Sequence, residues 1–291
     1  MKIGIITVRG LEYHPNRRLT EAADEYGHEI ILIHPYRIWP VIENGHFKLA
    51  NLPKGAFPDA VLPRQGSTLG ESCLLLIKHF HEMGVPVVNS SKAIRVAKNQ
   101  FLSLQKLAAS GIQIPETVFI NAPDGFAPAV SQLGGFPVVA KPVSSRQGTG
   151  VMLLKTNEDV DWYIDKHLNG RNGLIVQRFI PPQGRRELRV LIIGNKIVGA
   201  MELMPKNGDF RGNYHISGIS RPAELTPLIK EMAIKSTAVI QLEIAGIELI
   251  TDSEGKTVVI EVNYSPGFKG MESATGLNIA GRMIDYIVHR H

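Results

Sequence analysis

A single cysteine, Cys73, has nothing to pair with inside this 291-residue chain, so no internal disulfide holds the fold and no oxidising compartment is needed. The cytoplasm is therefore the expected location. No run approaches the ~20 apolar residues of a membrane span, and the apolar start, interrupted by Gly4, is too short for a signal-peptide core. No membrane partner is expected. A long basic run is also missing: the net charge is only +5, and the densest cluster, Arg185, Arg186 and Arg189, is broken by Glu187 and lacks interleaved aromatics. That pattern argues against nucleic acid and fits a small anionic ligand better. The first strand-like segment runs into Val8-Arg9-Gly10-Leu11-Glu12 without a glycine-rich fingerprint, which argues against a dinucleotide-binding dehydrogenase.

What is present reads as a folded globular chain. Hydrophobic residues make up 44% and charged residues 20%, too apolar for disorder, while 28 glycines and 18 prolines promise many tight connections. The length suits two domains, although one compact core also fits. The first ninety residues alternate: strand over Ile3 to Val8, helix over Asn16 to Tyr26, strands over His28 to His34 and Ala60 to Leu62, helix over about Leu69 to Met83, strand over Pro86 to Asn89. This is an open α/β layer. Arg64 follows a strand's carboxyl end, where such sheets place ligands, or else is a solvated loop arginine.

A single helix is expected from Ala93 to Ser110, closed by Gly111, with Lys98 at the edge of its apolar face as an ordinary surface lysine unless context promotes it. Strands then dominate, over Val118 to Asn121, Pro137 to Pro142, Gly150 to Leu154 and Leu174 to Phe179, with a helix over Glu158 to His167. Glu187 to Ile193 and Lys196 to Leu203 form a hairpin about Gly194-Asn195. Helices return over Pro227 to Gln241 and Ile279 to Val288.

Three places carry chemistry. Lys141 ends an apolar strand before Ser144-Ser145-Arg146-Gln147-Gly148-Thr149-Gly150; an ammonium beside backbone N–H groups at Gly148 and Gly150 suits a polyphosphate, though a plain hairpin loop reads the same way. The order is wrong for a Walker A loop. Strands Ile244 to Ile250 and Lys256 to Asn263, folded about Glu254-Gly255, set Glu248 opposite Glu261 and Gly246 opposite Asn263, with Ile247 and Leu249 facing Val262 and Ile260 on the apolar side. Opposed carboxylates repel one another unless a cation lies between them. Two carboxylates and an amide, with no His or Cys nearby, suit Mg²⁺ or Mn²⁺ better than zinc; two solvated glutamates on an exposed hairpin are the plain alternative. Finally, Gly208 to His215 collects Arg211, Gly212, Asn213 and His215 in one loop, where Arg211 can bind an anion bidentately and His215 is a candidate base. The turn-rich Tyr264 to Gly270, with Ser265 and Gly267, can offer N–H groups to an anion.

These motifs, with Ala60-Val61-Leu62-Pro63-Arg64, Leu102 to Leu107, Glu261-Val262-Asn263, Ser265-Pro266-Gly267 and Thr275-Gly276, resemble the ATP-grasp carboxylate–amine ligases, and within them the RimK-like glutamate ligases. The resemblance implies an N-terminal α/β domain plus an α+β ATP-grasp fold whose two lobes, built on antiparallel sheets, clamp ATP. It divides the chain at 1–91, 92–185 and 186–291. It also implies Lys98 and Lys141 as phosphate ligands, Arg178 and Phe179 as the hinge beside adenine, Glu187 at the ribose, and Arg211 to Asn213 as a further nucleotide contact. Glu248, Glu261 and Asn263 are then the Mg²⁺ or Mn²⁺ ligands.

The implied reaction forms an acylphosphate from ATP and a carboxylate, which an amino acid's amine then attacks; Lys141 offsets phosphoryl charge and Arg211 the oxyanion. Glutamate is the expected amino acid, and a peptide, protein C-terminus or small molecule the expected acceptor, in an enzyme expected to be a tetramer or dimer. Arg64, His215, Ser265 and Gly267 fall on the substrate side. Glu187 and Glu248 stand where the family suggests aspartate, and Ile216-Ser217-Gly218 where it suggests an arginine. A ligase for another amine and a nucleotide-binding module without turnover are the competing expectations.

Overall fold

A computed structural model describes residues 1–64, 70–144, 149–168, 172–204 and 220–290. The expected α/β layer forms: β1 (Lys2–Ile6) lies between β2 (Glu29–Ile33) and the later β5 (Ala60–Pro63), parallel to both. A parallel sheet needs cover on both faces. Ile3 and Ile5 pack with Leu19, Ala22 and Ala23 of α1 (His14–Glu25) on one side, and Ile6, Ile33 and Val61 with Cys73, Ile77 and Phe80 of α2 (Glu71–Glu82) on the other.

Two expectations are corrected here. The segment Pro86 to Asn89 is not a strand, because it meets β5 only through a single bridge, Val61 to Val87. The helix expected over Ala93 to Ser110 is two helices, α3 (Ser91–Lys98) and α4 (Gln100–Ala109). Asn99 breaks it: an extended backbone at φ −97°, ψ 104° ends α3, and its side chain accepts from Leu102 N–H to start α4. A hairpin that the periodicity had not indicated, β3 (Trp39–Glu43) with β4 (His46–Ala50), projects from the layer.

The middle of the chain builds β6 (Thr117–Ile120), β7 (Val138–Pro142), β8 (Met152–Leu154) and β9 (Leu174–Arg178), an antiparallel sheet in the order β6-β9-β7-β8. With α5 (Phe126–Gln132) and α6 (Asn157–His167) it encloses its own core around Phe126, Val138, Ala140 and Tyr163. A separate core is what lets a lobe move as a unit.

The last third is a five-stranded antiparallel sheet of β10 (Arg186–Ile193), β11 (Lys196–Leu203), β12 (Ser220–Pro222), β13 (Ile244–Thr251) and β14 (Thr257–Asn263), in the order β12-β11-β10-β13-β14. Leu188, Val190 and Ile247 pack with Ile229 and Ala233 of α7 (Pro227–Ile240), in one core with α2. On the other face Leu191 and Ile193 meet Met271 of α8 (Lys269–Thr275) and Met283 of α9 (Ile279–His289), in one core with β1 and α1. The first and last thirds are thus fused, while the middle lobe stands apart. Among the described residues no helix is long and apolar enough to cross a membrane.

Asn89 fastens the fused parts. It is 2% exposed, its Nδ2 donates to Ile244 O (2.7 Å) and Tyr264 O (2.9 Å), and its Oδ1 accepts from Glu243 N (2.6 Å) and Ile244 N (2.9 Å). Replacing it with alanine removes the partner of four backbone groups, three of these contacts being fully buried. Asn89→Ala is expected to cost about 3–4 kcal/mol, read as a fall in the urea midpoint; a loss under ~1 kcal/mol would show that water replaces the amide.

Candidate active site

The register of β13 and β14 places Glu248 opposite Glu261 and Gly246 opposite Asn263, as the sequence pattern requires. One part of that pattern is corrected. Leu249 pairs with Val259 and not with Ile260, because a bulge falls after the Glu248–Glu261 pair and leaves Ile260 over. The extra residue is used: the Ile260 carbonyl accepts from Gln100 Nε2 at 3.1 Å, tying the strand to α4.

β10 completes a row across three strands, since Arg189 stands opposite Glu248 on its other side. The Arg189 guanidinium is ion-paired to the Glu248 carboxylate. Glu261 has no hydrogen-bond or ion-pair partner among the described residues. Burial and the neighbouring Glu248 push its carboxyl up to about 7. Lys141, 5% exposed at the end of β7, reaches the same place from the middle lobe. Burial lowers its ammonium to about 8, against the opposing pull of Glu261 and Glu248. The cluster therefore joins both lobes at one point.

The donor set fits a hard divalent cation. It holds two carboxylates, one of them unpaired, and an amide oxygen, Asn263 Oδ1, that accepts one bond from Ser265 N–H at 3.0 Å and keeps a second lone pair. No cluster of three or more His, Cys, Asp or Glu exists among the described residues, so a zinc-type centre has no ligands there. Cys73 is buried in α2 with its thiol pushed up to about 12, which leaves it a core side chain and not a nucleophile.

The remaining expected residues are spread around this point. Gly150 closes the loop after β7; its carbonyl accepts from Tyr163 Oη at 2.6 Å and its φ is +76°. A Cβ there would lie 2.9 Å from Pro142 Cγ. Gly150→Ala is therefore expected to cost about 1–2 kcal/mol of stability, read as a melting temperature lower by a few degrees, and to weaken nucleotide binding about tenfold, measured by titration; unaltered affinity would remove the loop from the site. Lys98 ends α3 with its ammonium 3.8 Å from Glu71. Arg178 is exposed at the end of β9, paired with Glu116 at 2.9 Å, and Phe179 follows it half-buried.

Glu187 shares the face of Arg189, two residues away, and pairs with Arg185. Arg64 is buried under the loop after β14, donating from Nη2 to Pro266 O at 2.8 Å. Ser265 lies in that loop, and Gly267 is exposed with open space where a side chain would stand. Gly148, Arg211, Gly212, Asn213 and His215 lie outside the described residues, as does Ile216-Ser217-Gly218. The sequence reading missed Arg185 and Arg189 as partners of the acids. The alternation Arg185-x-Glu187-x-Arg189 along one strand face was the available signal.

A carboxylate hairpin facing a buried lysine from a second, independently cored lobe defines the ATP-grasp class of ligases. The solved RimK domain ATP-grasp protein of Sphaerobacter thermophilus superposes on 99% of this chain and 100% of its own with a TM-score of 0.76, at 21% identity. The RimK-like ATP-grasp domain matches residues 97–287 and the RimK pre-ATP-grasp domain residues 1–94. The chain belongs to the RimK-like family.

Among its relatives, a probable alpha-L-glutamate ligase of Thioalkalivibrio sulfidiphilus is 37% identical over 291 residues, covering 99% of this chain and 95% of that protein. A ribosomal protein bS6–L-glutamate ligase of Salmonella paratyphi B is 36% identical over 295 residues, covering 100% of this chain and 96% of its own. As a member of this family the chain is an ADP-forming acid–amino-acid ligase.

Proposed function

We propose that this enzyme joins L-glutamate through its amine to a carboxylate on a peptide or protein. The observation that carries the site assignment is the cross-strand pair Glu248–Glu261 with Lys141 held against it. The glutamate ligase names of the relatives support the amino acid, and the bS6 ligase among them supports a protein acceptor. An acceptor carboxylate oxygen attacks the γ-phosphorus as ADP leaves. The glutamate amine then attacks the acyl carbon and phosphate departs, one proton going to solvent.

In this reading Glu248, Glu261 and Asn263 hold Mg²⁺, which when bound neutralises phosphoryl charge. Lys141 and Lys98 grip the phosphates, together with backbone N–H groups at Gly148 and Gly150. Arg178 and Phe179 border the adenine, Glu187 the ribose, and Arg211 to Asn213 the nucleotide, with Arg211 offsetting oxyanion charge. Arg64, His215, Ser265 and Gly267 line the substrate side. The division at 1–91, 92–185 and 186–291, with the middle part as a lid, belongs to the same proposal. So does assembly into a tetramer or dimer, to be checked by light scattering.

The test is phosphate release with ATP and Mg²⁺ across a matrix of carboxylate peptides and amino acids, followed by product mass. A glutamyl increment is expected. Nucleotide binding without phosphate release under any pairing would overturn the ligase reading.

A further inference from the structure

Arg64 is not explained by the nucleotide site. It is 5% exposed, and no carboxylate pairs with it among the described residues. Its Nε is buried without a partner. Its one described side-chain bond goes to a backbone oxygen, Pro266 O, and its guanidinium lies 5.7 Å from the Phe268 ring centre. Burying a cation in this way is costly unless an anion completes the site.

Among the described residues no such anion pairs with Arg64. The same Phe268 ring meets His14 edge to face, with ring centres 5.8 Å apart, and His14 Nδ1 is a second buried nitrogen without a partner. His14 opens α1, whose N-cap, Tyr13, makes no side-chain cap and whose first turn carries no acid. Glu272 pairs with His14 Nε2 at 3.8 Å and is otherwise engaged by Arg18 Nε at Oε2 (3.3 Å) and by the N–H groups of Ile279 and Ala280 at Oε1 (3.1 and 3.2 Å), with no ion pair to Arg64. A buried guanidinium, an imidazole whose Nδ1 lacks a partner and a helix start without a side-chain cap thus meet at one aromatic ring.

The place is next to the reaction. Pro266 is three residues beyond Asn263, so the carbonyl that Arg64 holds lies within about 11 Å of the metal strand's end. Pro266 also packs over Gly246, where a Cβ would sit 2.9 Å from Pro266 Cβ. An acceptor carboxylate that is being phosphorylated must lie at the nucleotide. The free amino acid instead brings a carboxylate that does not react and must be held still while its amine attacks.

We propose that Arg64, with the start of α1 beside His14, binds the α-carboxylate of the incoming amino acid. The assignment rests on the ligase reading above and adds which substrate group this corner takes. Only the α-carboxylate suits the task, because an amine tethered through the distal carboxylate alone would swing about several single bonds. Burial also favours a small free amino acid over a polypeptide end.

Wild-type enzyme assayed with L-glutamate and with its α-amide tests this directly. The α-amide is expected to show at least a 30-fold lower kcat/KM. Arg64→Gln is expected to raise the KM for glutamate by at least 30-fold, to leave the KM for ATP and for the acceptor within about threefold, and to use glutamate and its α-amide equally. Equal use of both by the wild type overturns the proposal, even if the variant does not fold. A rise in the acceptor KM in place of the glutamate KM also overturns it, assigning the corner to the acceptor. Product formation from the wild type upholds the ligase reading in either case, whereas absence of any glutamyl product overturns both.

Discussion

Glu261→Gln is expected to abolish ligase turnover and, at the same time, to make the metal-free protein more stable above neutral pH. Loss of a direct ligand removes several kcal/mol of charge stabilisation from phosphoryl transfer, and at 1.36 kcal/mol per tenfold this is at least about a 10³-fold fall in kcat/KM. The stability effect has the opposite sign. Burial and Glu248 raise the Glu261 carboxyl from its ordinary 4.5 to about 7 in the fold, so the folded chain holds this proton more tightly than the unfolded one. Stability from this group is present below pH 4.5 and is lost as pH rises through about 7.

Glutamine never ionises and escapes that loss. In chelator, the melting temperature of the variant should match the wild type near pH 4 and exceed it at pH 8, whereas added Mg²⁺ should raise the wild type alone. If the wild type is the more stable protein at pH 8 in chelator, the acids are not a strained pair waiting for a cation, and the metal assignment goes with them.

That pair was reached in the sequence from a turn placed at Glu254-Gly255, which sets Glu248 and Glu261 on one face with Asn263. The turn is in fact centred on Glu254, with Thr251 opposite Thr257, and the bulge supplies the residue that brings Glu248 opposite Glu261. Parity has a limit, which the bulge marks: an inserted residue leaves no periodic trace, so the shift from Ile260 to Val259 could not be read. Asn99 shows a different failure. The apolar spacing of α3 and α4 runs on with a helical period, and only the preference of asparagine for caps hints at the break. The β3–β4 hairpin was readable and missed: Asn44-Gly45, at φ 51° and 78°, is the two-residue turn that such pairs favour. Arg64 was placed correctly past the end of β5, but its isolation from every described carboxylate is a fact of packing between segments some 200 residues apart. No local pattern carries it.

Lys141 yields the second large effect, and it separates charge from geometry. The side chain is buried at the end of β7, and with its ammonium lowered to about 8 it begins to lose its proton in the free enzyme just above physiological pH. If that charge grips the nucleotide phosphates, the affinity of the wild type for ADP should fall as pH rises past 8. Lys141→Met keeps the apolar stem and loses the charge, so it should bind ADP weakly at every pH and turn over about 10²- to 10³-fold more slowly.

Lys141→Arg keeps a charge that does not titrate in this range, but spreads it over a planar fork that the ammonium's place does not match. It should therefore be impaired at pH 7 yet show no further loss up to pH 9. Isothermal titration of all three proteins with ADP at pH 7 and 9 decides the matter. A wild type whose affinity is flat across that range, or a methionine variant that binds as tightly as the wild type, would mean that Lys141 balances the acids of the opposite lobe and does not hold the nucleotide. Retained burial in a variant that binds weakly without melting early identifies the charge, and not the packing, as what the site requires.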